Sequence, residues 1–184
     1  MNSPIYFNLS EIALMNQLRN LWTDHVMWTR EFIISTAADL GALDAVTARL
    51  LQNPDDFAKL LSIVYGEDVA ENFKQLFTEH LLIAADLVNA AKAGNTQAAE
   101  QARTMWYDNA DAIAKFLSDV NPYWNEMTWQ NYLYSHLEMT EKEAVARLNN
   151  QYEEDIMFFD QIKDEALEMA DYMFAGIQQQ FSIS

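Results

Sequence analysis

The sequence contains no cysteine among its 184 residues, which excludes disulfides, cysteine-based zinc sites, iron–sulfur clusters and thiol nucleophiles. Glycine and proline are scarce, with four and three copies, too few for the many turns of an all-β protein. There are 11 basic residues against 28 acidic ones, so the net charge is −17 with neutral histidines. Such a chain repels phosphate backbones and anionic lipid, and we expect no nucleic-acid partner.

Signatures of common enzyme classes are also absent. The glycines, at positions 41, 66, 94 and 176, cannot form a Rossmann fingerprint or a P-loop. The sequence has no Gly-x-Ser-x-Gly elbow, no His-Glu-x-x-His motif and no EF-hand loop. No glutamate stands three residues before a histidine, as di-iron carboxylate bundles require. These absences favour a binding or structural protein over an enzyme.

No apolar run approaches the roughly 20 residues that a membrane-spanning helix needs. The best candidate, residues 81–85, is closed by Asp86. The N-terminal residues 1–8 have neither the basic region nor the sustained apolar region of a signal peptide. We therefore expect no membrane span and a cytoplasmic location.

Hydrophobic residues make up 51% of the chain and recur with a helical period almost throughout. Ser10 before Glu11 predicts a helix N-cap, and Gly94 is suited to a helix C-cap. Thr140 and Glu143 match a capping box that opens a last long helix. The predicted helical segments are 11–37, 44–51, 55–65, 67–93, 96–119, 124–137 and 140–180.

Four of these segments are long, and short helical segments follow the first and the third of them. The tight turn at Gly94 and Asn95 makes the second and third long helices antiparallel neighbours. Each long helix has one apolar stripe to bury. The sequence therefore predicts one all-α domain over residues 1–184, an antiparallel four-helix bundle with two short helical excursions.

Each long helix has one polar residue inside its apolar stripe, and these are His25, His80, Asn109 and Asp155. His80 lies 14 residues before Gly94 and Asn109 lies 15 residues after it, so the two should face each other at one height. A second possible stripe in the third helix, through Trp106, would turn Asn109 aside.

Two imidazoles and a carboxylate form a ligand set for a divalent metal such as zinc or iron. In that interpretation His25, His80 and Asp155 are ligands, and Asn109 is a weak ligand or a hydrogen-bond partner. The competing interpretation is a buried hydrogen-bonded layer, in which Asp155 and Asn109 satisfy the histidines and fix the register of the helices.

Several stretches resemble a family of uncharacterised bacterial helical-bundle proteins. The most distinctive is the W-x-x-H-x-x-W-T-R pattern of residues 22–30, and residues 79–81, 109–111, 121–124, 146–148 and 155–156 are similar too. The resemblance spans most of the chain and implies a helical bundle with a shared site at His25, His80, Asn109 and Asp155. It implies no particular reaction.

Three functions therefore remain open. The first is a protein that binds a metal ion or a small ligand at the polar layer of the bundle. The second is a structural or interaction bundle, including a homodimer, whose polar layer only sets register. The third is a metal-dependent enzyme with two histidines and one carboxylate, which also requires room for a substrate.

Overall fold

The computed structural model describes residues 11–181, and all regular structure within them is helical. The prediction of an all-α fold is therefore confirmed. The N-cap predicted at Ser10 and the N-terminal segment before it lie outside the described residues. The helices are α1 (Glu11–Ala37), α2 (Leu43–Leu50), α3 (Asn53–Tyr65), α4 (Glu67–Lys92), α5 (Thr96–Val120), α6 (Glu126–Leu148) and α7 (Tyr152–Phe181).

The turn between α4 and α5 has the geometry that its residues predict. Gly94 has a φ of 67°, a left-handed conformation that glycine adopts without the steric cost of a Cβ atom. The side chain of Asn95 accepts a hydrogen bond from the backbone N–H of Ala98 at 3.1 Å, which caps the first turn of α5. This short connection makes α4 and α5 antiparallel neighbours, as expected.

The second half of the chain differs from the prediction. Residues 126–137 of the predicted short segment and the start of the predicted last helix form one continuous helix, α6, and the next helix begins only at Tyr152. Thr140 and Glu143 are both buried inside α6, so they do not form a capping box. The true break comes after Leu148, where Asn150 has a φ of 60°. A four-helix bundle with excursions stays compatible with the structure, but the second excursion is part of a fifth long helix.

Three of the long helices, α1, α4 and α6, run in the same direction. Side chains at corresponding heights show this, because Trp22 stacks on Trp129 while Arg30 contacts Glu143 further along both α1 and α6. Similarly, His25 of α1 packs near His80 of α4, and the Lys92 ammonium further along α4 donates to the Thr36 carbonyl. The three helices approach one another at the centre of the bundle.

The other two long helices, α5 and α7, run in the opposite direction. On α7, Asp155 contacts Arg30 near the end of α1, while Asp171 binds Arg19 nearer the start of α1. Helix α3 leads the chain back from α2 to the beginning of α4. The order around the bundle is α1, α3, α4, α5, α6 and α7, and α7 closes on α1.

Within residues 11–181, no helix is both long enough and apolar enough to cross a membrane.

Candidate functional site

Three buried histidines meet at the middle of the bundle, one from each of the parallel helices. His25, His80 and His136 are exposed by 2%, 1% and 2%, and we call them the histidine layer. The ring centroid of His25 lies 6.3 Å from that of His80 and 5.5 Å from that of His136. Phe77 and Trp106 both pack against the ring of His80, so aromatic side chains surround the layer.

His80 has a defined hydrogen-bond partner. Its Nδ1 atom lies 3.0 Å from Oδ1 of Asn109, and Nδ2 of Asn109 donates to the Leu76 carbonyl at 3.1 Å. Because the amide oxygen can only accept, Nδ1 of His80 carries the proton and donates it. The Nε2 atom of the neutral ring is therefore the acceptor. The two residues face each other as the count from Gly94 predicts.

Burial keeps His25 and His80 neutral. The cost of removing a charged imidazolium from water lowers the pKa of His25 well below its usual range, and the neighbouring His136 and His80 lower it further. Burial also lowers the pKa of His80 to about 3, with a smaller contribution from His136. A neutral imidazole can donate one hydrogen bond and accept another.

Polar atoms in the layer and beside it have no hydrogen-bond partner among residues 11–181. They are Nδ1 of His25 and Nδ1 of His136 in the layer, and Oε2 of Glu165 on the neighbouring α7. The last two atoms lie 3.7 Å apart, beyond hydrogen-bond distance. Unpartnered buried polar atoms are rare in folded proteins and commonly mark the place of a water molecule, an ion or a ligand.

Asp155, the fourth residue of the predicted site, contacts arginines rather than histidines. Its fully buried carboxylate lies 2.5 Å from Nη1 of Arg30 and 3.1 Å from Nη1 of Arg147. Arg30 also binds Glu143 at 2.5 Å, so two arginines and two carboxylates form a buried ion network. Burial raises the pKa of Glu143 to about 7, although Arg30 acts in the opposite direction. The structure thus brings His25, His80 and Asn109 together and places Asp155 in this network.

Asp155 and Asn109 do not lie where the predicted metal site requires them. Among residues 11–181, no three histidine, aspartate or glutamate side chains are placed so that they could hold a metal ion. Asp155 has its charge balanced by arginines, and Asn109 bonds to His80 instead of pointing to a shared centre. The hydrogen-bond role proposed for Asn109 is the one that the structure contains.

A cavity of about 190 Å³ lies one helical turn beyond the histidine layer. Thr29, Ala84 and Thr140 line it, and each follows a histidine of the layer by four residues on the same helix. Residues four apart share one face of a helix and differ in height by about 6 Å. The three parallel helices therefore place the histidine layer directly beneath the cavity.

The walls of the cavity are mostly apolar and come from α1, α2, α4, α5 and α6. The apolar side chains include Phe32, Ile33, Leu50, Leu81, Val88, Ala99 and Ala144. Two lining residues have buried polar atoms without a partner among the described residues, Nε1 of Trp106 and Oγ1 of Thr140. Trp106 also packs on His80, with ring centroids 5.3 Å apart, so it connects the cavity to the layer.

Sequence reasoning missed His136, Trp106 and Thr140 as parts of this site. His136 falls in the predicted short segment 124–137, and the structure places it in the core on α6. The missed signal is the spacing of Trp129, Leu133, His136 and Thr140, which follows one helix face without interruption. Reading that stripe through residues 138–140 would have placed a third histidine in the core.

Comparisons with known proteins add no template for this site. No protein-family model, no curated protein and no solved structure matches the chain. The resemblance to uncharacterised helical-bundle proteins therefore stays a prediction, and the function has to be argued from the geometry of the cavity and the histidine layer.

Proposed function

We propose that this protein binds a small organic molecule inside the helical bundle, in the cavity above the histidine layer. The observation that carries the proposal is a cavity of about 190 Å³ whose walls are mostly apolar and include a small number of polar side chains, among them Thr29, Arg103 and Thr140. Ligand sites in proteins are typically mostly apolar pockets with a small number of polar groups that orient the ligand.

The cavity has an opening to solvent. Gly94, Asn95 and Val145 line it and are exposed, whereas the deeper walls are apolar. Water in the cavity has few polar partners there, so a ligand with an apolar body gains free energy by replacing it. The opening also gives such a ligand a route into the bundle, and this supports a binding role for the cavity.

The main alternative is a structural bundle whose polar layer only fixes the register of the helices. The bond between His80 and Asn109 is a contact of the kind this alternative requires. However, a layer that serves register alone should satisfy its polar atoms, and Nδ1 of His25 has no partner among the described residues. A metal site or a metal-dependent enzyme built on two histidines would need the Asp155 carboxylate as a ligand, but that carboxylate pairs with Arg30 and Arg147. We therefore include neither in the proposal.

The first experiment adds toluene as a probe to the purified full chain. We expect saturable binding in a titration followed by NMR and a rise in Tm with toluene concentration, since a ligand that binds only the folded state stabilises it. The variant Ala144→Leu should abolish binding, because Ala144 lines the cavity and the larger side chain fills it. Absence of toluene binding in the wild type would count against the proposal.

A stability comparison tests the cavity without any ligand. Ala144→Leu should retain or increase the free energy of unfolding, since the added atoms enter open space. The matched control is Ala114→Leu, on α5, because Ala114 is fully buried in the packed core. Overpacking there should cost about 1 to 3 kcal/mol. Equal losses in the two variants would mean that the cavity is not open to a side chain.

A further inference from the structure

We infer that α2 is a movable wall of the cavity, which shifts outward to admit an apolar molecule longer than the cavity while the long helices keep their places. This inference rests on the proposed binding function and adds how the site adapts to its ligand. Three observations support it: the separation of the cavity from the main core, the shallow packing of α2 and the weak attachment of its N-terminal side.

The cavity lies in an apolar cluster that is separate from the main core of the bundle. Six buried side chains form this cluster, and all of them line the cavity: Phe32, Ile33, Leu50, Leu81, Val88 and Ala144. Five of them come from the long helices α1, α4 and α6, and the sixth, Leu50, comes from α2. A displacement of α2 therefore changes the cavity and need not disturb the main core.

Of the helices around the cavity, α2 is the least deeply packed. It has eight residues, and a helix this short is marginal on its own in water. Leu50 is its one buried residue, whereas α1, α4, α5 and α6 each bury at least seven. Among the long helices, α2 packs chiefly against α1. An element with so few buried contacts opens locally at a low cost in free energy.

The C-terminal end of α2 is attached to α1 by polar contacts. The Arg49 guanidinium binds the Asp24 carboxylate at 3.0 Å and lies over the ring of Trp28. Three residues beyond α2, Nδ2 of Asn53 donates to the Leu21 carbonyl at 3.0 Å, which holds the start of α3 against α1. These contacts make the C-terminal end of α2 the pivot of any outward movement.

The N-terminal side of α2 is attached more weakly. Residues 38–42, which lead into it, are all exposed, and its first turn has no side-chain cap. Asp39 in this stretch pairs with Lys92, but its side chain is 84% exposed, and ion pairs in water contribute little. An outward movement about the pivot lifts Leu43 and Val46, which are only partly buried, off the apolar cluster.

The test compares toluene with butylbenzene, which has three more methylene groups. Apolar cavities of about 150 Å³ bind benzene, so the cavity of about 190 Å³ suits one ring with a small substituent, and butylbenzene exceeds it. We expect both to bind the wild-type full chain. Amide hydrogen exchange of residues 43–50, followed by NMR, should be faster in the butylbenzene complex by about threefold or more. Amides of α4 and α6 beside the cavity should exchange equally in the two complexes.

A variant that makes room in a fixed wall should remove this difference. Leu81→Ala takes a buried side chain out of the α4 wall, so butylbenzene fits without displacing α2, and the exchange rates of α2 should become equal in the two complexes. The matched control is Leu117→Ala, since Leu117 is equally buried but lies in the main core outside the cavity. The control should keep the wild-type difference. Toluene binding, measured for both variants, reports whether the fold is intact.

A second variant loosens the movable wall itself. Arg49→Gln removes the contact with Asp24, so displacing α2 costs less, and butylbenzene should bind about two- to fivefold more tightly relative to toluene than in the wild type. The matched control is Lys59→Gln. Lys59 and Arg49 both pair with Asp56, but Lys59 belongs to α3, so the control should leave the relative affinity unchanged.

The outcomes separate the inference from the proposed function. If toluene binds and butylbenzene does not, the cavity is a binding site with fixed walls and the inference is wrong. Equal exchange of α2 in the two wild-type complexes, or faster exchange in α4 or α6 instead, would also overturn it. If neither probe binds and Ala144→Leu destabilises the fold, the proposed function itself fails.

Discussion

At Gly176 on α7 the packing leaves no room for a side chain. A Cβ atom placed there would overlap Nε1 and Cδ1 of the Trp124 indole, which is buried and donates to the Met173 carbonyl at 3.2 Å. We predict that Gly176→Ala lowers the free energy of unfolding by about 1 to 3 kcal/mol, because the indole must move and its hydrogen bond weakens. Chemical denaturation measures the change.

Gly41 provides the control for this prediction. A Cβ atom at Gly41 would meet nothing within 4 Å. Gly41→Ala should therefore change stability little, or raise it by about 0.4 to 1 kcal/mol through a smaller entropy of the unfolded chain. If the two alanine variants have the same stability, the contact between Gly176 and Trp124 does not limit the packing of α7.

The buried His80 predicts a loss of stability in acid. Its pKa is lowered to about 3 by burial, whereas the same residue in the unfolded chain titrates near 6.5. Between these two values the unfolded state binds the proton and the folded state does not, so stability decreases as the pH falls. From pH 6.5 to pH 4 this contribution decreases by about 3 kcal/mol.

The variant His80→Gln isolates this effect, because glutamine does not titrate and can still donate to Asn109. We expect the difference in free energy of unfolding between wild type and variant to decrease by about 3 kcal/mol from pH 6.5 to pH 4. Urea denaturation at several pH values gives both curves. Parallel curves would mean that His80 accepts its proton in the folded protein as readily as in the unfolded chain.

At the level of single residues, the sequence predicts where a side chain lies better than it predicts which side chain it bonds to. The height of His80 and Asn109 follows from counting residues on either side of Gly94, and the two side chains do bond. The sequence shows Asp155 as a polar residue in an apolar stripe, but a buried carboxylate gives the same pattern whether its partner is a histidine or an arginine. Only the packing of α1 against α7 decides that Arg30 is its partner.

At the level of helices, the prediction is accurate where glycine and asparagine punctuate the chain, and it is wrong where a capping motif occurs inside a helix. The bounds of α1, α4 and α5 agree with the sequence to within a residue. Thr140 and Glu143 have the spacing of a capping box, yet Glu143 binds Arg30 on another helix. A local pattern cannot reveal that distant partner.

The continuity of α6 can be tested by comparing alanine and glycine at Glu138, an exposed position within the helix. Both substitutions remove the ion pair with Lys142, so their difference reports backbone preference alone. We predict that Glu138→Gly is less stable than Glu138→Ala by about 1 kcal/mol, because glycine is unfavourable inside a helix. A break at residues 138–139 would give no difference.

The same comparison at Asn150 should have the opposite sign. Asn150 has a φ of 60°, where glycine is strain-free and alanine is not. Asn150→Gly should therefore be more stable than Asn150→Ala by about 1 kcal/mol. Thermal or urea denaturation of the four variants locates the end of α6 from both sides.

At the level of the whole molecule, the buried ion network joins α1, α6 and α7. We predict that Arg30→Met destabilises the fold by about 3 kcal/mol at pH 8, because it leaves the buried Asp155 and Glu143 carboxylates with less compensation. The loss should be smaller at pH 5. Glu143, whose pKa is raised to about 7, then binds a proton in the folded state and needs no positive partner.

The control is Arg19→Met, which removes the bidentate pair with Asp171 between the same two helices, α1 and α7. The side chains of that pair are 41% and 45% exposed, so its loss should cost less than about 1 kcal/mol. Urea denaturation of both variants at pH 5 and pH 8 gives the comparison. Equal losses at pH 8 would show that burial adds nothing to the value of the Arg30 network.

The closure of α7 on α1 has a consequence for how the chain folds. The contacts of Arg19 with Asp171 and of Arg30 with Asp155 join residues separated by 152 and 125 positions. Contacts this distant in sequence form slowly, because a long loop must close before they become favourable. During synthesis the part of α1 that packs against α7 therefore stays uncovered until α7 has left the ribosome. In a cell, a chaperone that shields this face should have its longest contact with the nascent chain before α7 emerges.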